Sequence, residues 1–290
     1  MKAGIKMAII IDGKAVAAEE KGAIKAEVAD MRRKGLVPKL TVIIVGEDTA
    51  SQIYVRNKKK ACEDVGIESD LIELPDSVTE NELIGLISKL NSDSSVSGIL
   101  VQLPLPGHIS ENAVISSILP EKDVDAFHPV NVGKIMIGDH GFLPCTPAGI
   151  MSLLYRYGID VSGKNCVVAG RSNIVGKPMA MLLLHADGTV TVCHSKTAGL
   201  KEICRSADVF VTAIGHPKFF TKDYIKPGAV VIDVGMNRDA SGKLCGDVDF
   251  ENVKDVASYI TPVPGGVGPM TIVTLLKNTV TACKDQNAYV

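Results

Sequence analysis

Six short runs of aliphatic and β-branched residues, at positions 40–45, 98–103, 166–169, 190–193, 209–214 and 230–234, are separated by segments long enough to hold a helix each. Runs this apolar suit strands buried on both faces, and strands joined through helices pair in parallel rather than as hairpins. The pattern predicts an α/β protein built of parallel sheets covered by helices. Helix signals fall between the runs. Thr79 and Glu82 have capping-box spacing ahead of Leu83, Ile84 and Leu86, and Thr146-Pro147 pairs a cap residue with proline at the first helical position. The second signal predicts a helix through Tyr157. Further helices are expected over residues 49–65 and from about Met270.

A chain of 290 residues has room for two compact domains. Residues 133–147 are glycine-rich, polar and proline-punctuated, the composition of a domain boundary. The expected division is residues 1–145, completed by a C-terminal helix at 270–290, and residues 146–269. In the second part a strand at 166–169, a glycine-bearing turn at 170–176, a helix to His185, a strand at 190–193, a helix near Ile203 and strands at 209–214 and 230–234 outline a Rossmann-type dinucleotide-binding unit.

Composition excludes several classes. Hydrophobic residues at 46% and charged residues at 22% describe an ordinary self-folding protein. With 31 basic against 33 acidic residues, no global field draws the chain to nucleic acid or to a membrane surface. The tightest basic cluster, Lys58-Lys59-Lys60 near Arg56, is short and reads as a solvated helix face. Seven cysteines show no C-x-x-C pair and six histidines no H-x-x-x-H spacing, which predicts a reduced compartment and no metal site. No serine occupies a G-x-S-x-G elbow. The apolar stretch at residues 7–11 is too short to span a membrane, so a cytoplasmic location is expected.

The turn Gly170-Arg171-Ser172-Asn173-Ile174-Val175-Gly176 lies between a strand and a helix, where free backbone N–H groups can face a phosphate. Its spacing is not G-x-G-x-x-G, and tight packing explains the glycines equally well. After the following strand a Rossmann unit reads the adenosine ribose, and an acid there selects NAD. This chain has His194-Ser195-Lys196-Thr197 instead, groups suited to a 2′-phosphate, so NADP is preferred over NAD; capping by Ser195 or Thr197 is the alternative. Gly215-His216-Pro217 and the segment opening Asp233-Val234-Gly235 also fall at strand ends, where turn formation or helix capping by Asp233 would account for them.

In the first part, Tyr54 and Lys58 are four residues apart and share one helix face, a pairing that ordinarily carries no chemistry. Val101-Gln102-Leu103-Pro104 runs from a buried strand into a stiff loop with one polar residue at its mouth. Asp123-Val124-Asp125-Ala126-Phe127-His128 gathers two acids and a histidine in a loop, for which solvation is the plainer explanation.

Taken together, residues 51–58, 101–106, 122–129, 144–147, 170–178 and 259–271 resemble, in order, the motifs of the bifunctional methylenetetrahydrofolate dehydrogenase/cyclohydrolase family. The resemblance implies two α/β domains with a cleft between them, and a cytoplasmic homodimer with a folate substrate. It implies oxidation of 5,10-methylenetetrahydrofolate to the methenyl form with NADP, then hydrolysis to 10-formyltetrahydrofolate, an oxidoreductase and hydrolase of one-carbon metabolism serving purine biosynthesis. By this resemblance Lys58 is catalytic, Gln102 partners it, Asp125 fixes the pterin and Tyr54 packs along the folate. Val101 and Leu103 flank Gln102 at the substrate, and Pro264, Gly265, Gly266, Val267 and Gly268 line the cleft. Gly170, Arg171, Ser172, Ser195 and Met236 line the cofactor groove. A base at Lys58 must be able to give up its proton near neutrality, and Arg56, Lys59 and Lys60 are candidates to meet a glutamate tail. A ligase domain, known in longer relatives, is not expected in the 290 residues.

One departure stands out. The family usually has glycine where this chain has Ala126, and if that position needs a positive φ, alanine is strained by about 1 kcal/mol and the Asp125 loop could shift. Two rivals remain: another two-domain Rossmann oxidoreductase acting on a hydroxy or amino acid, and a catalytically silent ligand sensor.

Overall fold

The computed structural model describes residues 7–288. Along the chain, strand β1 (Ile9–Ile10) leads into helix α1 (Gly13–Arg33), followed by β2 (Lys39–Val45), α2 (Thr49–Val65), β3 (Glu68–Leu74), α3 (Glu80–Ser92) and β4 (Gly98–Val101). Helices α4 (Glu111–Ser117), α5 (Pro129–Ile137) and α6 (Cys145–Arg156) come next, then β5 (Asn165–Ala169), α7 (Gly176–His185), β6 (Thr189–Cys193), α8 (Leu200–Arg205), β7 (Val209–Thr212) and β8 (Val230–Asp233). The short strands β9 (Asn237–Arg238) and β10 (Leu244–Cys245), helix α9 (Phe250–Val253), strand β11 (Tyr259–Ile260) and helix α10 (Val267–Asn287) complete it. No helix among the described residues is long and apolar enough to cross a membrane.

Two compact units divide the chain. One comprises Glu19–Cys145 with the described residues from Ile272; the other comprises the described residues up to Ala18 with Thr146–Thr271. In the first, β3, β2 and β4 form a parallel sheet with β2 central. Its core gathers Ile43 and Val45 from β2, Ile99 and Val101 from β4, Leu83 and Ile87 from α3 and Val114 from α4. The reciprocal cap expected at α3 is present: Thr79 Oγ1 accepts from Glu82 N at 3.3 Å, and Thr79 N donates to Glu82 Oε2 at 2.9 Å.

In the second unit six strands pair in parallel in the order β1-β11-β8-β7-β5-β6. The chain leaves β5 for β6 on one side and returns to β7 on the other, which makes the β5–β7 boundary a topological switch point, where α/β sheets hold ligands at their carboxyl ends. The core on one face of this sheet gathers Val167, Phe210, Phe220, Val231 and Ile260, with the Phe210 and Phe220 rings edge to face at 4.9 Å.

Several sequence expectations change in detail. The expected first domain held residues 1–145, yet β1 joins the second unit's sheet, with Ile9 N donating to Ser258 O and Ile11 N to Ile260 O. A two-residue strand shows no periodicity, and its partner lies far along the chain. β3 was not foreseen because its sequence, Glu-Ser-Asp-Leu-Ile-Glu-Leu, belongs to a half-exposed edge strand rather than to a buried run. α6 starts at Cys145, so Thr146 lies inside the first turn and does not cap it. Gly133 sits within α5 rather than in a linker.

Candidate functional site

In the first unit, helix α2 leaves the carboxyl end of β2 directly. Asp48 caps it, its carboxylate accepting from Ser51 N at 2.7 Å, and Gly66 closes it with φ 85°. β4 pairs with β2 so that Val101 lies beside Ile43, and Gln102 N donates to Ile43 O at 2.8 Å. Gln102 therefore projects from the carboxyl edge of the sheet. Its Nε2 donates to Leu103 O at 2.7 Å, which turns Oε1 toward Lys58, and Lys58 Nζ donates to it at 3.0 Å. Lys58 is only 8% exposed, whereas Lys59 and Lys60 are exposed. The solvated-face reading holds for the last two and fails for Lys58. Tyr54 is half-buried, and burial pushes its phenol up.

Asp125 joins the same group through Cys145. Burial pushes the Cys145 thiol well above its ordinary range, the charge of Asp125 and a hydrogen bond to it act in the same direction, and Lys58 acts against them. Lys58, Gln102, Cys145 and Asp125 all belong to this unit. Asp125 is half-buried, while Asp123, expected in a solvated loop, is 2% exposed. Asp123 braces the loop instead, accepting from His128 N at 2.7 Å and Asn131 Nδ2 at 2.8 Å. Burial raises its carboxyl and those two donors oppose the rise.

The loop is fixed from further sides. Asn278 on α10 donates through Nδ2 to Val124 O at 2.8 Å and to Leu143 O at 2.9 Å, and Cys145 Sγ donates to Val124 O at 3.6 Å. Val124 is fully buried against Gly98, where an added Cβ would lie 2.5 Å from its Cγ1. Asn278, Asn131 and Cys145 were missed as site supports. The available signal was an asparagine in a helix segment whose neighbours Leu275, Leu276 and Val280 are apolar.

Ala126 does adopt a positive φ, 58°, and is fully buried. The left-handed region costs an L-residue about 1–2 kcal/mol. Burying a methyl group returns about 0.8 kcal/mol, which explains how alanine persists.

In the second unit, a cavity of about 550 Å³ opens at the carboxyl ends of β6, β5 and β7, at the switch point. Gly170, Arg171 and Ser195 line it together with His194, Thr197, Leu200, Ile214, His216 and Phe219. Met236 is 46% exposed and is not among its lining residues. Gly170 has φ 135°, and a Cβ there would lie 2.5 Å from Ala213 O; a Cβ on Gly176 would strike the Gly170 carbonyl. Tight packing therefore requires both glycines. The first donors of α7 are not all free, since Ser172 Oγ accepts from Val175 N at 3.2 Å and Gly176 N at 3.3 Å. Thr197 Oγ1 accepts from His194 N at 2.9 Å, while Ser195 is exposed. Of the two residues weighed as caps, Thr197 closes this turn.

Asp233 caps no helix. It is 3% exposed at the end of β8 and accepts from Gly235 N, Asp247 N and Val248 N, and burial pushes its carboxyl to about 7 against those donors. Pro264, Gly265, Gly266, Val267 and Gly268 belong to this unit, whereas Tyr54, Lys58, Gln102 and Asp125 belong to the other. Gly265 has φ 111°, a Cβ on Gly266 would lie 2.6 Å from Pro262 O, Val267 is buried and a Cβ on Gly268 would meet open space.

Residues 11–125 match the family model "Tetrahydrofolate dehydrogenase/cyclohydrolase, catalytic domain", and residues 144–287 match the corresponding "NAD(P)-binding domain". The "Bifunctional protein FolD" of Acetivibrio thermocellus is 60% identical, covering 96% of this chain and 97% of its own length. The crystal structure of the bifunctional enzyme FolD from Campylobacter jejuni superposes with a TM-score of 0.94 at 52% identity, covering 95% of this chain and 98% of that one. The Trypanosoma brucei methylenetetrahydrofolate dehydrogenase-cyclohydrolase, solved with NADP and an inhibitor, gives a TM-score of 0.94 at 43% identity, covering 98% and 100%.

The backbone at Ala126 yields a test. Ala126→Gly exchanges relief of strain against a lost methyl contact and is expected to leave stability within about 1 kcal/mol of the parent. Ala126→Val adds a β-branch at a left-handed position and should cost at least ~2 kcal/mol. Urea titrations showing the glycine variant weaker by more than the valine variant would contradict this account of the loop.

Proposed function

The chain belongs to the tetrahydrofolate dehydrogenase/cyclohydrolase family, and from that premise we propose that Lys58, held by Gln102, moves the proton in the hydrolytic half of a two-step conversion. The enzyme oxidises 5,10-methylenetetrahydrofolate to the 5,10-methenyl compound with NADP and hydrolyses that product to 10-formyltetrahydrofolate, within one-carbon metabolism. The observation that carries the assignment of Lys58 is its 3.0 Å hydrogen bond to Gln102 Oε1 from a buried position.

Hydrolysis requires a water oxygen to bond to the methenyl carbon, a proton to leave that water, and the carbon–N5 bond to break as N5 takes up a proton. Lys58 Nζ, as the amine, accepts the water's proton and donates one to N5 as that bond breaks. The remaining hydroxyl proton leaves to solvent as the formyl carbonyl forms, so each turnover consumes one water and releases one proton. Gln102 keeps Nζ in one place during the transfer. Asp125 offers two oxygens to the adjacent N–H donors of the pterin's amino-pyrimidinone edge, a bidentate contact that asparagine cannot reproduce. Tyr54 is the wall for the folate ring, and exposed Arg56, Lys59 and Lys60 are placed to meet the glutamate tail.

NADP, when bound, accepts the hydride released by the methylene carbon. The residues lining the second unit's cavity fit such a ligand: Leu200, Ile214 and Phe219 suit a flat ring, and Arg171 and Ser195 suit a phosphate. Support for NADP over NAD is the lack of an acidic residue in the segment after β6, where His194 to Thr197 stand. A homodimer is supported by Tyr155, Leu184 and Val192, which are 84%, 51% and 38% exposed, and by the position of β6 at the sheet edge. Light scattering at micromolar concentration should give twice the chain mass, and a monomer there would remove this reading.

Lys58→Met keeps the aliphatic stem and deletes the proton carrier. Methenyltetrahydrofolate hydrolysis should fall about a hundredfold or more, with NADP affinity by calorimetry unchanged. Hydrolysis at the parental rate would take Lys58 out of the mechanism.

A further inference from the structure

Asp247 is fully buried, and all four of its side-chain donors are neutral. Its Oδ2 accepts from Thr212 Oγ1 at 3.1 Å and Ile214 N at 2.7 Å; its Oδ1 accepts from His216 N at 2.9 Å and Asn237 Nδ2 at 2.8 Å. Ile214 and His216 belong to the loop after β7 that lines the 550 Å³ cavity, and Gly215 between them has φ 66°. Asp247 is itself fixed from behind, its N donating to Asp233 Oδ1 at 3.0 Å. Neither Gly235 nor Gly246 leaves room for a Cβ beside these two carboxylates.

A buried carboxylate without a cation is tolerable only while hydrogen bonds surround it. The loop after β7 cannot swing away from Asp247 without leaving charged oxygens unsatisfied, so it holds one shape whether or not a ligand is present. A wall already in place spares the ligand the cost of ordering it.

We propose that Asp247 is a positioning residue for the dinucleotide, clamping the Ile214–His216 turn as a preformed wall of the cavity. The proposal rests on the reading of that cavity as the cofactor site. Asp247 lies beyond the wall, 31 residues from His216 in sequence, and touches the ligand only through the turn it holds.

Asp247→Asn preserves size but offers only one oxygen. The Thr212 hydroxyl or the Asn237 amide can turn to accept, but whichever way the new amide faces, one backbone N–H, that of Ile214 or of His216, then meets another donor. The KM for NADP in methylenetetrahydrofolate oxidation should rise about tenfold or more, with a smaller change in kcat at saturation. Methenyltetrahydrofolate hydrolysis, which consumes no dinucleotide, should stay within about twofold and serves as the folding control in the same preparation. A purely structural role would lower the thermal midpoint and leave the NADP KM where it was, which would overturn the proposal. Should Asp247→Asn not fold, Thr212→Val removes one donor with little change of shape and should raise the NADP KM about threefold; an unchanged KM in that variant is equally fatal. Ser195→Asp separates the proposal from the reading beneath it, because a carboxylate in the cavity repels a phosphate. If Ser195→Asp leaves the NADP KM unchanged, the cavity is not the cofactor site; if it raises KM and Asp247→Asn does not, only the clamp is wrong.

Discussion

The hydrogen bond from Lys58 to Gln102 is the contact on which the proposed chemistry of the first unit turns. It exists because β2 and β4 are parallel neighbours, so the helix leaving one and the loop leaving the other emerge at the same sheet edge. The Leu103 carbonyl fixes the amide, the amide fixes the amine, and burial keeps competing water away. Each step follows from a local rule of strand pairing or hydrogen-bond geometry.

The same economy recurs around the acidic residues. Half-exposed Asp125, proposed to meet the pterin, lies two residues from Asp123, whose oxygens accept from His128 and Asn131 and hold the loop. In the second unit Asp233 and Asp247 are both buried; backbone N–H groups satisfy Asp233, and backbone N–H groups with Thr212 and Asn237 satisfy Asp247. In each unit buried carboxylates shape a loop at the carboxyl edge of a parallel sheet, and the loop carries groups proposed to meet the ligand.

Much of this was legible in the sequence, and for identifiable reasons. The strands β2, β4, β5, β7 and β8 are apolar runs because both faces are covered, and the Thr79–Glu82 cap is a fixed spacing that needs no tertiary context. β3 escaped because an edge strand has one wet face, and β1 because its pairing with β11 depends on a distant segment. Lys58 illustrates a second limit: three consecutive lysines look alike in sequence, and only the helix rotation relative to Gln102 decides which is buried. Ala126 was legible in part. Replacement of a glycine pointed to a positive φ, but that the side chain is completely enclosed emerges only from the folded structure. Asn278 and Asp247 lay hidden because their work is done on backbone carbonyls and N–H groups, which leave no mark in a residue pattern.

One polypeptide is held to carry out two successive reactions on the same one-carbon unit, using separate residue sets. The most direct test follows both products in one cuvette, supplying purified protein with methylenetetrahydrofolate and either NADP or NAD and recording NADPH or NADH formation alongside the methenyl absorbance. The account predicts reduced dinucleotide with NADP ahead of NAD, with methenyltetrahydrofolate decaying to the formyl product in the presence of the protein faster than in its absence. Failure to reduce either dinucleotide, or a methenyl compound that decays no faster with the protein than without it, would contradict the claim of a bifunctional enzyme.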